Sequence, residues 1–214
     1  GALPGCRAGG GPLPALSSWE WGQLGGGAAG QAAVPAGPRP PLAPRWRFAA
    51  GHAPVGAALV ADGVVLQATV RAELIAIDRQ TGQRLTTRRF DRRLLGAPAS
   101  WDGLTVVACA APEPGLEAID LRAGAVAWRQ PGVFDAPLAL VDSLVLAARA
   151  DGVLLALDAR TGATRWSAPV GGRLWAGVAA AGGLAFAGNS RGEVVAVRLD
   201  SGRVLWRAQL PGGP

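Results

Sequence analysis

Lysine, methionine and tyrosine are missing from this 214-residue chain, histidine and asparagine occur once each (His52, Asn189), and cysteine occurs twice (Cys6, Cys109). One histidine and two distant cysteines exclude a zinc site built from His and Cys. Two cysteines allow at most one disulfide. None is expected, because Cys6 lies in a Gly/Pro-rich tail and Cys109 lies in an apolar run, where a thiol acts as a small hydrophobe. No apolar run reaches the roughly 18 residues that a membrane-crossing helix needs. The chain begins with Gly rather than Met. Either its start was processed or further residues precede it. His52 reads as a loop residue rather than a ligand.

Charge is scarce, at 17% of residues, and all of the positive charge is arginine. The formal net charge is +6. A basic surface for nucleic acid or acidic lipid would need clustered Arg with interleaved aromatics. The densest run, "TTRRFDRRLL", holds Arg88, Arg89, Arg92 and Arg93, but Asp91 interrupts it and its lone aromatic, Phe90, does not make a series of interleaved stacking platforms. It reads as a solvated turn between strands, and a nucleic-acid partner is not expected. The Arg bias, like the excess of Ala, Gly and Pro, follows from GC-rich codons.

Half of the chain is hydrophobic, with 32 Gly and 17 Pro. Helix formers other than Ala and Leu are few, so short elements joined by tight turns are expected. Residues 1–44 are Gly-, Ala- and Pro-rich without periodicity and read as a leader or linker. Trp19 and Trp21 within it suggest packing against the folded body. "LPGC" at 3–6 resembles the end of a bacterial lipobox, which would make Cys6 a lipidation site. Gly5 and Leu3 fit that pattern, while Pro4 departs from it. The alternative is a cysteine that happens to stand in a Gly/Pro-rich tail.

Residues 45–214 are repetitive. "AIDRQTGQRLT", "AIDLRAGAVAW", "ALDARTGATRW" and "AVRLDSGRVLW" align on Gly82, Gly124, Gly162 and Gly202. Four residues beyond each glycine stand Thr86, Trp128, Trp166 and Trp206. With Trp46 the steps along the chain are 40, 42, 38 and 40 residues. A period of about 40 residues marks a solenoid, propeller or helical array. The segments between motifs are short apolar runs split by Asp62-Gly63, Asp102-Gly103, Gly182-Gly183 and the weaker Asp142-Ser143, which are hairpin signals. Four antiparallel strands per period make the blade of an all-β propeller.

Each part of the motif has a physical role. Ala76, Ala118, Ala156 and Ala196 leave room for a large flat neighbour. Asp78, Asp120 and Asp158 can fold back onto the backbone in Asx-type turns, with Thr161 completing the best-kept copy. The glycine supplies φ > 0. The tryptophan buries a large area and needs a partner for its indole N–H. None of these residues is a nucleophile, base or metal cage, so no catalytic, cofactor-binding or metal residue is assigned.

"ALDARTGATRW" resembles the tryptophan-docking motif of the PQQ-like β-propeller repeat family, and the resemblance covers residues 46–209. In that family the Trp is sandwiched between the Ala of its own motif and the Gly region of the next. "WEWGQLGGGAAG" and "PPLAPRWRF" also look like the lead-in of its secreted members. Thr86 departs from the pattern, so the first docking contact is expected to be weak. Ala123 and Ser201 replace Thr. Arg198 replaces Asp, and that turn is expected to use Asp200.

The count from Trp46 is one leading strand, "RWRF", and four sets of four strands. An incomplete ring of a longer propeller is expected; the alternative is a closed four-bladed ring with "RWRF" docked elsewhere. The resemblance implies a non-enzymatic scaffold or binding protein of the cell envelope, on its periplasmic or extracellular face. It would be similar to the BamB-like lipoproteins, with a protein partner and with membrane contact only through Cys6. One alternative is a quinoprotein dehydrogenase fragment using PQQ and Ca²⁺. The resemblance would then require a vicinal disulfide and a cage of Glu, Asn and Asp. A second alternative is a sensor or recognition ectodomain. Trp175 could line the central channel but reads as packing, and Glu73, Glu117 and Glu193 read as solvated.

Overall fold

The computed structural model describes residues 41–61 and 63–211. The lipobox-like Cys6, the paired Trp19 and Trp21, and Asp62 lie outside the described residues.

Among the described residues, sixteen strands form four sheets. Blade 1 comprises β1 (Pro54–Ala61), β2 (Val64–Thr69), β3 (Glu73–Asp78) and β4 (Arg84–Arg89). Blade 2 comprises β5 (Leu94–Trp101), β6 (Leu104–Cys109), β7 (Gly115–Asp120) and β8 (Ala125–Pro131). Blade 3 comprises β9 (Ala139–Val141), β10 (Leu144–Ala148), β11 (Val153–Asp158) and β12 (Thr164–Pro169). Blade 4 comprises β13 (Ala179–Ala181), β14 (Leu184–Gly188), β15 (Glu193–Arg198) and β16 (Val204–Gln209). Within each sheet the strands follow chain order, and every pair is antiparallel.

The turns explain this meander. At Asp102-Gly103 both residues take positive φ, 45° and 78°, the backbone of a two-residue hairpin whose twist matches its strands. Trp101 then pairs with Leu104 across it.

The core lies between sheets rather than inside any one of them. Alternation along each strand presents one apolar row to each neighbouring blade. Leu59, Leu66 and Leu74 of blade 1 meet Val107, Cys109 and Ile119 of blade 2. Val106, Leu116 and Trp128 of blade 2 meet Val145, Leu155 and Leu157 of blade 3. Leu146, Leu154 and Trp166 of blade 3 meet Ala185, Val195 and Val197 of blade 4. The first strands of successive blades sit side by side, β1 on β5, β5 on β9 and β9 on β13. The ring stays open between blade 4 and blade 1.

One expected element is absent. Residues 42–50, which include "RWRF", carry no regular secondary structure. A strand exists only where its backbone pairs with a neighbour, and among the described residues this segment pairs with none of the sixteen strands. Its Trp46 nevertheless sits on blade 1, as described below.

The two ends of the arc differ. On blade 1, Ile75 and Ile77 are covered. On blade 4, Trp206 is 44% exposed, against 8% for Trp128 and Trp166. Phe186 flanks it, with ring centroids 6.0 Å apart, and Leu205 and Leu210 are exposed nearby in sequence. An uncovered apolar sheet face favours association. The chain is expected to self-associate in size-exclusion chromatography with light scattering, and Trp206→Arg is expected to shift it toward monomer. A wild-type chain that elutes as a sharp monomer and melts cooperatively contradicts this.

Candidate functional site

The repeated motif forms one device at two of the three internal blade boundaries and again where Trp46 meets blade 1. Within a blade, the motif alanine pairs across the last two strands with the docking position: Ala118 with Trp128, Ala156 with Trp166, Ala196 with Trp206 and Ala76 with Thr86. A register shift follows that pair in every blade, so the last strand bends at the same point.

The indole then reaches the next blade. A Cβ built on Gly162 would lie 2.6 Å from Cδ2 of Trp128, and Trp128 Nε1 donates to Ala159 O at 2.9 Å. A Cβ on Gly202 would lie 2.8 Å from Cε3 of Trp166, whose Nε1 donates to Leu199 O at 2.7 Å. A Cβ on Gly82 would lie 2.6 Å from Cγ of Trp46, whose Nε1 donates to Arg79 O at 2.9 Å. These glycines take φ of 71–72°, so their backbone is left-handed and their missing Cβ is the space that the indole fills.

The turn beneath the indole is held twice. A backbone bond closes it in all four copies, from Gly82 to Asp78 O, Gly124 to Asp120 O, Gly162 to Asp158 O and Gly202 to Arg198 O, at 2.8–2.9 Å. Side chains add the second tie. Asp78 Oδ1 accepts from Gln80 N, Thr81 N and Thr81 Oγ1. Asp120 Oδ1 accepts from Arg122 N and Ala123 N. Asp158 Oδ1 accepts from Arg160 N, Thr161 N and Thr161 Oγ1, and its Oδ2 accepts from Arg165 at 2.7 Å. The Arg165 bond, followed by the two bonds from Thr161, holds the Asp158 carboxyl down at about 2. In the fourth copy Asp200 pairs with Arg198 and accepts from Ser201 Oγ.

The boundary between blades 1 and 2 is built differently. Thr86 holds the docking position, and Arg88, two residues on, reaches across to donate to Gly124 O at 2.5 Å. Its guanidinium also meets Glu117 Oε1 at 3.4 Å, while Arg92 and Arg129 meet Glu117 Oε2 at 3.1 and 3.0 Å. Glu117 is therefore buried rather than solvated, and Arg88 and Arg92 are mostly covered, not part of a free turn. Burial of a carboxylate is tolerated because three guanidiniums surround it. Glu73 is also buried and pairs with Arg89 at 3.1 Å. The signal for Glu117 was present in the repeat: the residue before the motif Ala is Ile75, Leu155 or Val195 in the other copies and is buried in each. Trp175 also departs from expectation, being 59% exposed; the adjacent Leu174 takes the buried position.

Among the described residues, no group of three or more His, Cys, Asp or Glu side chains is placed to hold a metal ion. Asn189 is committed locally, donating to Glu193 Oε2 and accepting from the Arg191 and Glu193 amides.

Two outcomes follow from the docking geometry. Trp128→Ala should cost roughly 3–5 kcal/mol in urea unfolding, the range for truncating a buried Trp, whereas Trp206→Ala should cost less than about 1 kcal/mol. Gly162→Ala should cost about 2–4 kcal/mol, from left-handed strain plus overlap with the indole. For Asp158, the lowered pKa means stability that is present above about pH 4 and is lost as pH falls toward 2. Wild type should therefore exceed Asp158→Asn in melting temperature at pH 6, with the gap closing between pH 4 and 2.

The family described as outer membrane protein assembly factor BamB, a PQQ-type repeat family, matches residues 31–174 and 150–214. The outer membrane protein assembly factor BamB of Burkholderia pseudomallei (strain K96243) is 29% identical over 168 residues, covering 70% of this chain and 43% of the relative. The crystal structure of BamB from Moraxella catarrhalis superposes with a TM-score of 0.61 at 20% identity, over 79% of this chain and 52% of that one. The quinohemoprotein alcohol dehydrogenase of Comamonas testosteroni superposes with a TM-score of 0.72 at 16% identity, over 91% and 42%. The chain thus spans about half or less of the length of these relatives. Likeness at such low identity speaks to the propeller fold. With the family matched across most of its length and the docking motif in place at successive blades, the chain belongs to the PQQ-like propeller repeat family of the BamB type.

Proposed function

We propose that this chain works as a non-enzymatic binding scaffold of the bacterial cell envelope, in the assembly of outer-membrane proteins, and that it acts by holding a protein partner. The observation that carries this reading is the family match over residues 31–214 together with the relative named as an outer membrane protein assembly factor. The chemistry of the motif agrees with it. Ala, Asp, Gly and Trp are spent on turns and blade contacts, and the loops and sheet edges are left for recognition. The dehydrogenase reading has only a fold likeness at 16% identity behind it, without a family match. No observation favours a sensor ectodomain.

The envelope placement is part of the same proposal, with Cys6 as the lipid anchor. Export of the chain into a Burkholderia pseudomallei strain lacking its BamB should allow crosslinking to a component of the outer-membrane assembly machinery. It should also raise the amount of β-barrel protein in the outer membrane. A crosslinking pattern no different from that of an unrelated exported propeller overturns the reading. Radiolabelled palmitate should be incorporated by the wild type and not by Cys6→Ser. Equal labelling of the two removes the anchor.

A further inference from the structure

We propose that the junction between blades 1 and 2 is an electrostatic latch, with Glu117 as its keystone, and that blade 1 is the unit of the arc that separates when this charge is removed. The inference is independent of the proposed function. It rests on one position where two repeat rules fail together.

The other internal boundaries are hydrophobic clamps. Trp128 covers Gly162 and Trp166 covers Gly202, and the residues behind them on the receiving strands are Leu155 and Val195. At the first boundary the donor blade offers Thr86, too small to cover Gly124. The receiving blade offers Glu117 at the position of Leu155 and Val195. One departure alone would leave a gap or a buried unpaired charge. Together they are complementary, because Arg88 stands where the sister blades carry Gln130, Ala168 and Ala208, and it spans both vacancies. One end of its guanidinium meets Gly124 O and the other meets Glu117.

The charges around Glu117 come from every side. Arg88 belongs to β4 of blade 1, Arg92 to the connection between the blades, and Arg129 to β8 of blade 2. Arg92 is further held by Asp91 and by Glu113 O. Arg89 with Glu73 forms a separate pair on blade 1. A single carboxylate thus ties three guanidiniums from three segments. Removing it leaves Arg88 and Arg92 facing each other while covered from solvent, and repulsion then acts across the boundary that the clamp should close.

The chain carries its own reporter. Cys109 is buried at this same boundary, among the residues of blades 1 and 2. Burial pushes its thiol up to about 11, so in the closed arc it is shielded and protonated. In a Cys6→Ser background, the rate at which dithionitrobenzoate labels Cys109 reads the opening of this junction. Glu117→Gln is expected to label at least tenfold faster than its parent. Trp166→Ala, which weakens the boundary between blades 3 and 4, is expected to stay within about threefold of the parent. Labelling of Glu117→Gln within twofold of the parent overturns the latch, as does equal acceleration by Trp166→Ala. Should Glu117→Gln lack the far-ultraviolet spectrum of the parent, Arg129→Gln removes one solvent-facing guanidinium instead. An acceleration of about threefold supports the latch, and no change overturns it.

Discussion

The fold depends on a flat indole lying on a glycine that has no Cβ. A blade of four antiparallel strands has two faces and little interior of its own. It becomes stable only when each face is covered. The sequence covers them by placing a Trp on the last strand of one blade and a left-handed Gly on the turn of the next, with a carbonyl set to receive the indole N–H. The distances leave no room for a methyl group between ring and backbone. Contact of this kind fixes the rotation between neighbouring blades, and the small residues of the intervening layer, such as Ala156, Ala168 and Ala185, are buried in the same cluster.

The asymmetry of the arc follows from the same contact. Trp46 reaches blade 1 from a segment with no strand pairing, so the indole binds its glycine without help from a sheet. Among the described residues no such glycine lies against Trp206, which stands exposed. At the first internal boundary the contact is absent, and a carboxylate with three guanidiniums ties the blades beside the apolar residues packed between them. A hydrophobic clamp and an ion cluster can hold the same two blades at similar spacing. They differ in what breaks them: loss of area in one case, loss of one charge in the other.

Much of this architecture was legible from residues alone. Period-two alternation, the hairpin dipeptides and the recurring glycine give sixteen strands in four blades because each signal is local and repeats. The turn roles of Asp78, Asp120 and Asp158 were readable for the same reason: their partners stand two or three residues away. What was not legible depends on distant partners. The repeat marks the position of Glu117 as buried, since Ile75, Leu155 and Val195 hold it elsewhere, but its role is unreadable until Arg88, 29 positions earlier, is seen beside it. "RWRF" alternates like a strand, but strand formation requires an edge that no local pattern reports. Trp175 has the composition of a packing residue, yet its neighbour Leu174 fills the space. The envelope role is not written in the motif at all, since every motif residue serves the fold.

The account stands or falls on whether the indoles hold the blades. Hydrogen exchange at the indole Nε1–H groups, followed by NMR, reads this directly for each tryptophan. Trp128 and Trp166 should exchange as slowly as the central strands of their blades, because releasing either N–H requires two blades to part. Trp206 should exchange orders of magnitude faster. Rapid exchange at Trp128 and Trp166, equal to that of Trp206, would contradict the account.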